Sequence, residues 1–239
     1  GGWLVAVSGG PDSFALLDLA YRSVHRTPRQ LHAVTVHHHL RAEAEDELMA
    51  VRGWCDARNI THHRQDLEPP ANPAAARRAR YQALKTVAFE QNLPHILLGH
   101  HADDQVESIL LALVRGAGPK GLGGMRDCRH LGGGIQVLRP FLETPGQTLR
   151  DHAQEHHLPF HDEPGNLDPQ SARGRIRTLI RPQLELLRQG CGMAIVNNRA
   201  LMQAAGQALQ TQAKRLAQSE EREVWQRASE GLRLAALQL

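Results

Sequence analysis

Residues 3–13, Trp-Leu-Val-Ala-Val-Ser-Gly-Gly-Pro-Asp-Ser, constrain the fold of this chain more than any other stretch. Trp3-Leu4-Val5-Ala6-Val7 is a short apolar run ending near paired glycines, the pattern of a strand buried in a parallel sheet. From Asp12 to Ser23, Phe14, Leu16, Leu17 and Ala20 recur on a helical period. Between strand and helix, Gly9 and Gly10 let the backbone turn sharply and aim successive N–H groups at one point. Pro11 suits a first helical turn, Ser8, Asp12 and Ser13 can cap it, and the helix N-terminus adds positive partial charge. Such a turn is suited to hold an anion. No lysine follows at the Walker offset and no GxGxxG is written, so neither a P-loop nor a dinucleotide fingerprint applies. A plain strand-to-helix turn that needs glycine only for geometry is the alternative.

The same alternation continues. A second strand, Leu31 to Val36, leads into His37-His38-His39-Leu40-Arg41, followed by a helix from Glu43 to Asn59 and a short strand from Thr61 to Gln65. A loop with Pro69, Pro70 and Pro73 precedes a helix from Ala74 to Asn92. Pro94 to Gly99 reads as another buried strand and Asp103 to Arg115 as a helix. Strands alternating with helices predict an α/β fold, a doubly wound parallel sheet of Rossmann-like type. Residues Gly116 to Gly134 are glycine-rich and read as irregular. A strand from Ile135 to Leu138, a helix from Thr148 to His157 and a basic segment from Arg173 to Arg181 follow. The main domain is expected over residues 1–182, with residues 183–239 as a small helical appendage.

Composition narrows the function classes. Hydrophobic residues make up 41% of the 239 and charged ones 22%, an ordinary soluble balance. Aromatics at 4% argue against an RNA-binding sheet built on stacked rings. The net charge of +3 leans toward a polyanionic partner without establishing one. Cys55, Cys128 and Cys191 form no CxxC pair, and so sparse a set suits a reducing cytoplasm. No apolar run approaches the roughly 18 residues that span a bilayer. The chain opens on Gly1-Gly2-Trp3 without methionine, so further residues are expected beyond its ends.

The second chemical motif is Gly99-His100-His101-Ala102-Asp103-Asp104-Gln105-Val106-Glu107. It spans a strand end and a helix start, the edge where α/β sheets bind ligands. Asp104 and Glu107 are three residues apart, so both carboxylates share a helix face and suit an ammonium group. His100 can act as acid, base or phosphate ligand. Simple capping of the helix by Asp103 and Asp104 is the competing reading, and a metal site on His100 a third. The histidine triplet 37–39 reads as a solvated strand terminus. The clusters Arg77-Arg78-Arg80 and Arg173 to Arg181 read on composition alone as solvated faces.

Ser8-Gly9-Gly10-Pro11-Asp12-Ser13 resembles the pyrophosphate loop of the N-type ATP pyrophosphatases. Within that group, GHHADDQVE at 99–107 resembles the tRNA(Ile)-lysidine synthetases, and five further motifs stand along the chain in the family's order. They are Asn72 to Tyr81 before it, and Arg115 to Met125, Arg139-Pro140-Phe141-Leu142, Asp162 to Asn166 and Arg173 to Arg177 after it. The resemblance spans about residues 4 to 182 and implies that this stretch is the catalytic domain. It implies ATP bound through Ser8, Gly9, Gly10, Pro11, Asp12 and Ser13, with Mg²⁺ held on the phosphates by Asp12. Arg80 and His100 join Asp12 as implied catalytic residues, and Asp104 and Glu107 as the site of free L-lysine. Arg115, Lys120, Arg173, Arg175 and Arg177 are implied to face tRNA.

The reaction implied is adenylation of the C2 carbonyl of the wobble cytidine in an isoleucine tRNA with a CAU anticodon. The ε-amino group of lysine then displaces AMP to give lysidine, in the cytoplasm, with a homodimer as a candidate assembly. A tRNA thiolase of the same family and a non-catalytic ATP- or RNA-binding module are the alternatives. Three departures bear on substrate positioning: His39 stands where the family has glycine, Gly174 where it has asparagine, and Pro164-Gly165 interrupts EDxSN. The family carries further C-terminal tRNA-binding domains, of which this chain is expected to hold at most a beginning.

Overall fold

In a computed structural model of the chain, residues 1–24, 29–37, 44–69, 71–162, 169–218, 225 and 228–237 are described. His38 to Arg41 and Glu163 to Asn166, on which two of the sequence departures fall, lie outside them. The elements run β1 (Trp3–Ala6), α1 (Pro11–Val24), β2 (Leu31–His37), α2 (Ala44–Asp56), β3 (Thr61–Asp66), α3 (Pro73–Glu90) and β4 (His95–Leu97). Then come α4 (Ala102–Val114), α5 (Pro119–Leu122), β5 (Cys128–Gly132), β6 (Ile135–Leu138) and α6 (Gly146–Glu155). The C-terminal helices are α7 (Ala172–Arg175), a π-helical turn (Ile176–Ile180), α8 (Arg181–Leu187), α9 (Cys191–Asn197), α10 (Arg199–Ala217) and α11 (Glu230–Leu237).

The six strands form one sheet in the order β3-β2-β1-β4-β6-β5. All neighbours are parallel except β5 and β6, so the expected doubly wound sheet carries one antiparallel edge. Period-two alternation in β1 shows why helices cover both faces. Val5 packs with Phe14, Leu17, Val51, Trp54 and Ala153 from α1, α2 and α6. Its neighbour Leu4 packs with Leu84, Val87, Ile96 and Val137, on the side of α3.

The segment 116–134, read as irregular, holds α5 and β5. Gly132, Gly133 and Gly134 take φ of +79°, +65° and +77°, and so form the turn that folds β5 back onto β6. A glycine run that looks like a breaker is here the bend of a hairpin.

The residues group into two compact units. One holds Gly1–Asp104 and Arg126–Asp168, the other Gln105–Met125 and Pro169–Leu239. In the second, α10 lies close against α5. A Cβ on Gly206 would fall 2.8 Å from the Lys120 amide nitrogen, and one on Gly123 would fall 2.6 Å from Gln203 Cγ. Farther along, Ala213 and Leu216 of α10 bury Ala236 of α11. No described helix is long and apolar enough to cross a membrane.

Candidate active site

Strand order reverses beside β1: β2 and β3 lie on one side, β4 and β6 on the other. A crevice opens at such a switch point, beyond the carboxyl ends of the two central strands. The loop after β1 is residues 7–10 and the loop after β4 is residues 98–101, so the topology alone sets the two sequence motifs side by side. Gly99 is the seam. A Cβ there would lie 3.0 Å from the Asp12 carbonyl oxygen, and only glycine leaves the loops this close.

The first loop is braced from within. The buried Ser13 hydroxyl donates to the Gly10 carbonyl at 2.9 Å and accepts the Ser8 amide at 3.2 Å. Gly9 has φ of +96°, and a Cβ on it would fall 2.8 Å from Cβ of the buried Glu47. From the other side the His161 amide donates to the Gly9 carbonyl at 2.9 Å. Because α1 starts at Pro11, the amides of Asp12 and Ser13 have no carbonyl four residues back inside the helix. Those amides and the exposed Ser8 crown the loop, as an anion cradle requires.

Reasoning from sequence put the acid–base role on His100, which is half-buried. The residue it missed is His101. This side chain is 10% exposed, and its Nε2 lies 3.4 Å from Asp12 Oδ2 and 3.5 Å from Asp104 Oδ2. Its Nδ1 is 3.2 Å from the Asp103 amide and 3.8 Å from Asp103 Oδ2. In the neutral ring Nδ1 accepts that amide and the Nε2 proton points between Asp12 and Asp104. Burial pulls His101 down, but the hydrogen bond to Asp12 and the charges of Asp104, Asp12 and Asp103 outweigh it, holding the imidazole above its ordinary range. The doublet His100-His101 gave the one available signal, since consecutive residues leaving a strand point in opposite directions.

Asp104 does what the capping alternative asked. Its Oδ2 accepts the His101 amide at 3.0 Å, the reach of a third helical residue back to its cap. Glu107, on the same helix, is fully buried and its Oε1 accepts from Arg177 Nε at 2.7 Å. The two acidic residues thus have separate partners. Of the arginines assigned to RNA, Arg177 is held by this ion pair and Arg175 donates to the Pro169 carbonyl at 2.8 Å. Arg173 is exposed, with Ser108 Oγ at 3.4 Å, and Arg115 and Lys120 are exposed.

Arg80 belongs to a cationic group that composition did not reveal. The buried Tyr81 is the hub: its hydroxyl accepts from Arg139 Nη2 at 2.9 Å, and Arg77 and Arg129 stand over its ring at 5.2 and 5.1 Å. Arg80 lies 6.0 Å from the same ring. Burial pushes the phenol up and the arginines, Arg139 foremost, pull it back below its ordinary value. Arg139, 4% exposed, also donates to the Arg126 carbonyl at 2.7 Å. This packing against a buried phenol removes Arg77 and Arg80 from the solvated-face reading.

In the second unit, Gln105 is fully buried and pairs twice with the Met125 backbone, at 2.8 and 2.7 Å. Gln203 of α10 donates to the Gly123 carbonyl at 2.7 Å. The glycine-rich stretch is therefore pinned from two helices.

A PP-loop domain matches residues 1–184. The tRNA(Ile)-lysidine synthase of Polaromonas naphthalenivorans is 41% identical over 187 residues, covering 75% of this chain and 55% of that protein. The corresponding synthase of Salinispora tropica is 40% identical over 202 residues, covering 82% and 60%. The bifunctional protein TilS/HprT of Listeria innocua is 37% identical over 190 residues, covering 76% and 29%. The chain thus spans roughly 30 to 60% of the length of these relatives. Among solved structures, a U34-tRNA thiolase from Methanococcus maripaludis superposes with a TM-score of 0.71 at 18% identity, covering 85% of this chain and 72% of that one. At that identity the likeness speaks for the fold alone.

Proposed function

The chain belongs to the PP-loop domain family, and on that premise we propose that it carries the catalytic domain of an ATP-dependent tRNA(Ile)-lysidine synthase, over residues 1–182. The observation that carries this reading is the braced loop at Ser8–Ser13 lying against the His101–Asp12 contact at the sheet's switch point. The relatives at about 40% identity supply the substrate class.

The chemistry falls into two displacements. The C2 carbonyl oxygen of the wobble cytidine attacks the α-phosphorus of ATP, forming a C–O–P bond as pyrophosphate leaves. The ε-amino nitrogen of lysine then attacks C2, AMP leaves with the oxygen, and the amine gives up a proton. The first step turns an unreactive carbonyl oxygen into a leaving group. Both need charge on phosphate to meet fixed dipoles, which is where enzymes gain most.

Loop amides at Gly9, Gly10, Asp12 and Ser13 would receive the pyrophosphate, with Ser8 at the rim. The Asp12 carboxylate, 36% exposed at the loop mouth, is the hard oxygen donor that suits Mg²⁺, which when bound neutralises phosphate charge. His101 would orient Asp12 and hold a proton at Nε2. Arg80, set in its arginine group, and His100 would face the transferring phosphoryl group. Asp104 and Glu107 remain the proposed lysine residues and the arginines around 173–177 the RNA-facing ones, with residues 183–239 a helical appendage. Cytoplasmic activity fits such a substrate.

Two of the three thiols do not favour a sulfur relay. Burial pushes Cys55 up to about 12, and burial with the Glu185 contact raises Cys191, so neither is an activated thiolate. The test is steady-state pyrophosphate release over many turnovers, which requires lysine to clear the adenylated intermediate, with L-lysine and an isoleucine tRNA transcript bearing CAU, against a methionine tRNA transcript. Lysine-dependent release confined to the isoleucine transcript supports the reading. Release indifferent to lysine would overturn it.

A further inference from the structure

Away from the loop crevice, the geometry points to a divalent metal site of zinc type formed by Asp18 of α1 with His152 and His156 at the end of α6. One ligand atom from each of the three lies within 4.8 Å of the others. A tetrahedral ion with bonds of roughly 2.0–2.1 Å needs its ligand atoms about 3.4 Å apart, so the widest separation must close by up to about 1.4 Å and the Asp18–His152 contact must open by about 0.6 Å, adjustments on the scale of side-chain rotation. The Asp18 carboxylate, 4% exposed, already lies 2.8 Å from His152 Nε2. The rings of His152 and His156 meet edge-on with centroids 4.3 Å apart.

Each residue is held for a reason that sequence and fold supply. Asp18 occupies the buried face of α1 among Phe14, Leu17 and Ala20, an expensive place for a carboxylate without compensation. His152 and His156 are four residues apart, the spacing that puts two imidazoles on one helix face. His156 caps α6, and His157 turns the chain away with φ of +49°. The plain reading, a buried aspartate satisfied by neighbours, accounts for His152 and for Arg22, whose Nε also meets Oδ2 at 2.7 Å. It does not account for His156, which brings a third ligand atom to the same point.

Two imidazoles and a carboxylate, with a fourth position for water, form a donor set that suits Zn²⁺ over the hard Mg²⁺. On binding, the ion takes the place of the proton between His152 Nε2 and Asp18. The Arg22 side chain, 53% exposed, swings into solvent. The bound ion would staple α6 to α1, the helix whose first turn closes the anion loop.

The experiment uses the full chain stripped of metal, with Zn²⁺ alone as probe, read by calorimetric titration and by the shift in melting temperature. His156→Asn removes a ligand without touching the Asp18–His152 contact, and His130→Asn is the control at an exposed histidine. One Zn²⁺ should bind per chain and raise the melting temperature, reversibly with EDTA. His156→Asn should bind more than tenfold more weakly while melting like the parent when metal-free, and His130→Asn should bind like the parent. No zinc-dependent shift in the parent, or equal affinity in His156→Asn, would overturn the site.

Discussion

Replacing Arg177 by alanine tests whether the Glu107–Arg177 contact is part of the scaffold as well as of the proposed substrate face. Glu107 is fully buried, and the guanidinium at 2.7 Å is a charged donor to its Oε1. Breaking a wholly buried ion pair by removing one partner costs about 3–5 kcal/mol. Arg177 is 27% exposed, so water reaches the site and the cost falls to the bottom of that range or below it. About 2–3 kcal/mol is therefore expected, roughly 30- to 150-fold in the folding equilibrium. Urea melts of the parent, Arg177→Ala, Glu107→Gln and the double variant form the cycle. Its coupling energy should be at least ~1 kcal/mol, as for residues in direct contact. A cost for Arg177→Ala below about 0.5 kcal/mol, in the range of an exposed pair, would refute the reasoning. Arg177 would then have no structural share and its role would rest on RNA alone.

Further expectations concern the loop, the histidines and the glycine-rich stretch. Gly9→Ala forces a side chain into φ of +96° and against Glu47, so ATP affinity should fall at least tenfold, about 1.4 kcal/mol, by equilibrium dialysis. Unchanged affinity would show that the loop is not the nucleotide cradle. His62, hydrogen-bonded to Thr35 at 2.9 Å, is pushed down to about 4, first by burial and then by His63. A depressed histidine gives stability that is complete above pH 6.5 and is lost as pH falls toward 4, and partial exposure limits the loss to about 1–2 kcal/mol. His62→Gln should flatten that slope in denaturant midpoints between pH 7 and pH 4, and an unaltered slope would assign it to other groups. Gln105→Leu deletes both bonds to Met125 and should speed protease cleavage within residues 116–125, whereas parental resistance would show the stretch is held otherwise.

The fold was legible where the governing chemistry is local. Gly9, Gly10 and Pro11 write a strand–turn–helix in consecutive letters, and Leu4 and Val5 announce a strand packed on two faces. The hairpin of β5 and β6 was not, because Gly132 to Gly134 read as a loop until a partner strand made them a turn. At the site, position outran identity: the motif at 99–107 pointed to the right sheet edge, yet which of His100 and His101 meets Asp12 depends on how the chain leaves β4. The Glu107–Arg177 pair joins residues 70 positions apart, and Arg139 reaches Tyr81 across 58. Such partners are set by topology, and no spacing rule exposes them.

The central claim is most directly tested on the product nucleoside. The chain would be incubated with ATP, Mg²⁺, isotope-labelled L-lysine and the CAU isoleucine transcript, and the RNA digested to nucleosides for mass spectrometry. Labelled lysine joined to the wobble cytidine, with no label in a methionine transcript and none for Asp12→Ala, is the predicted result. A transcript that binds and ATP that turns over while the cytidine stays unmodified would contradict the account.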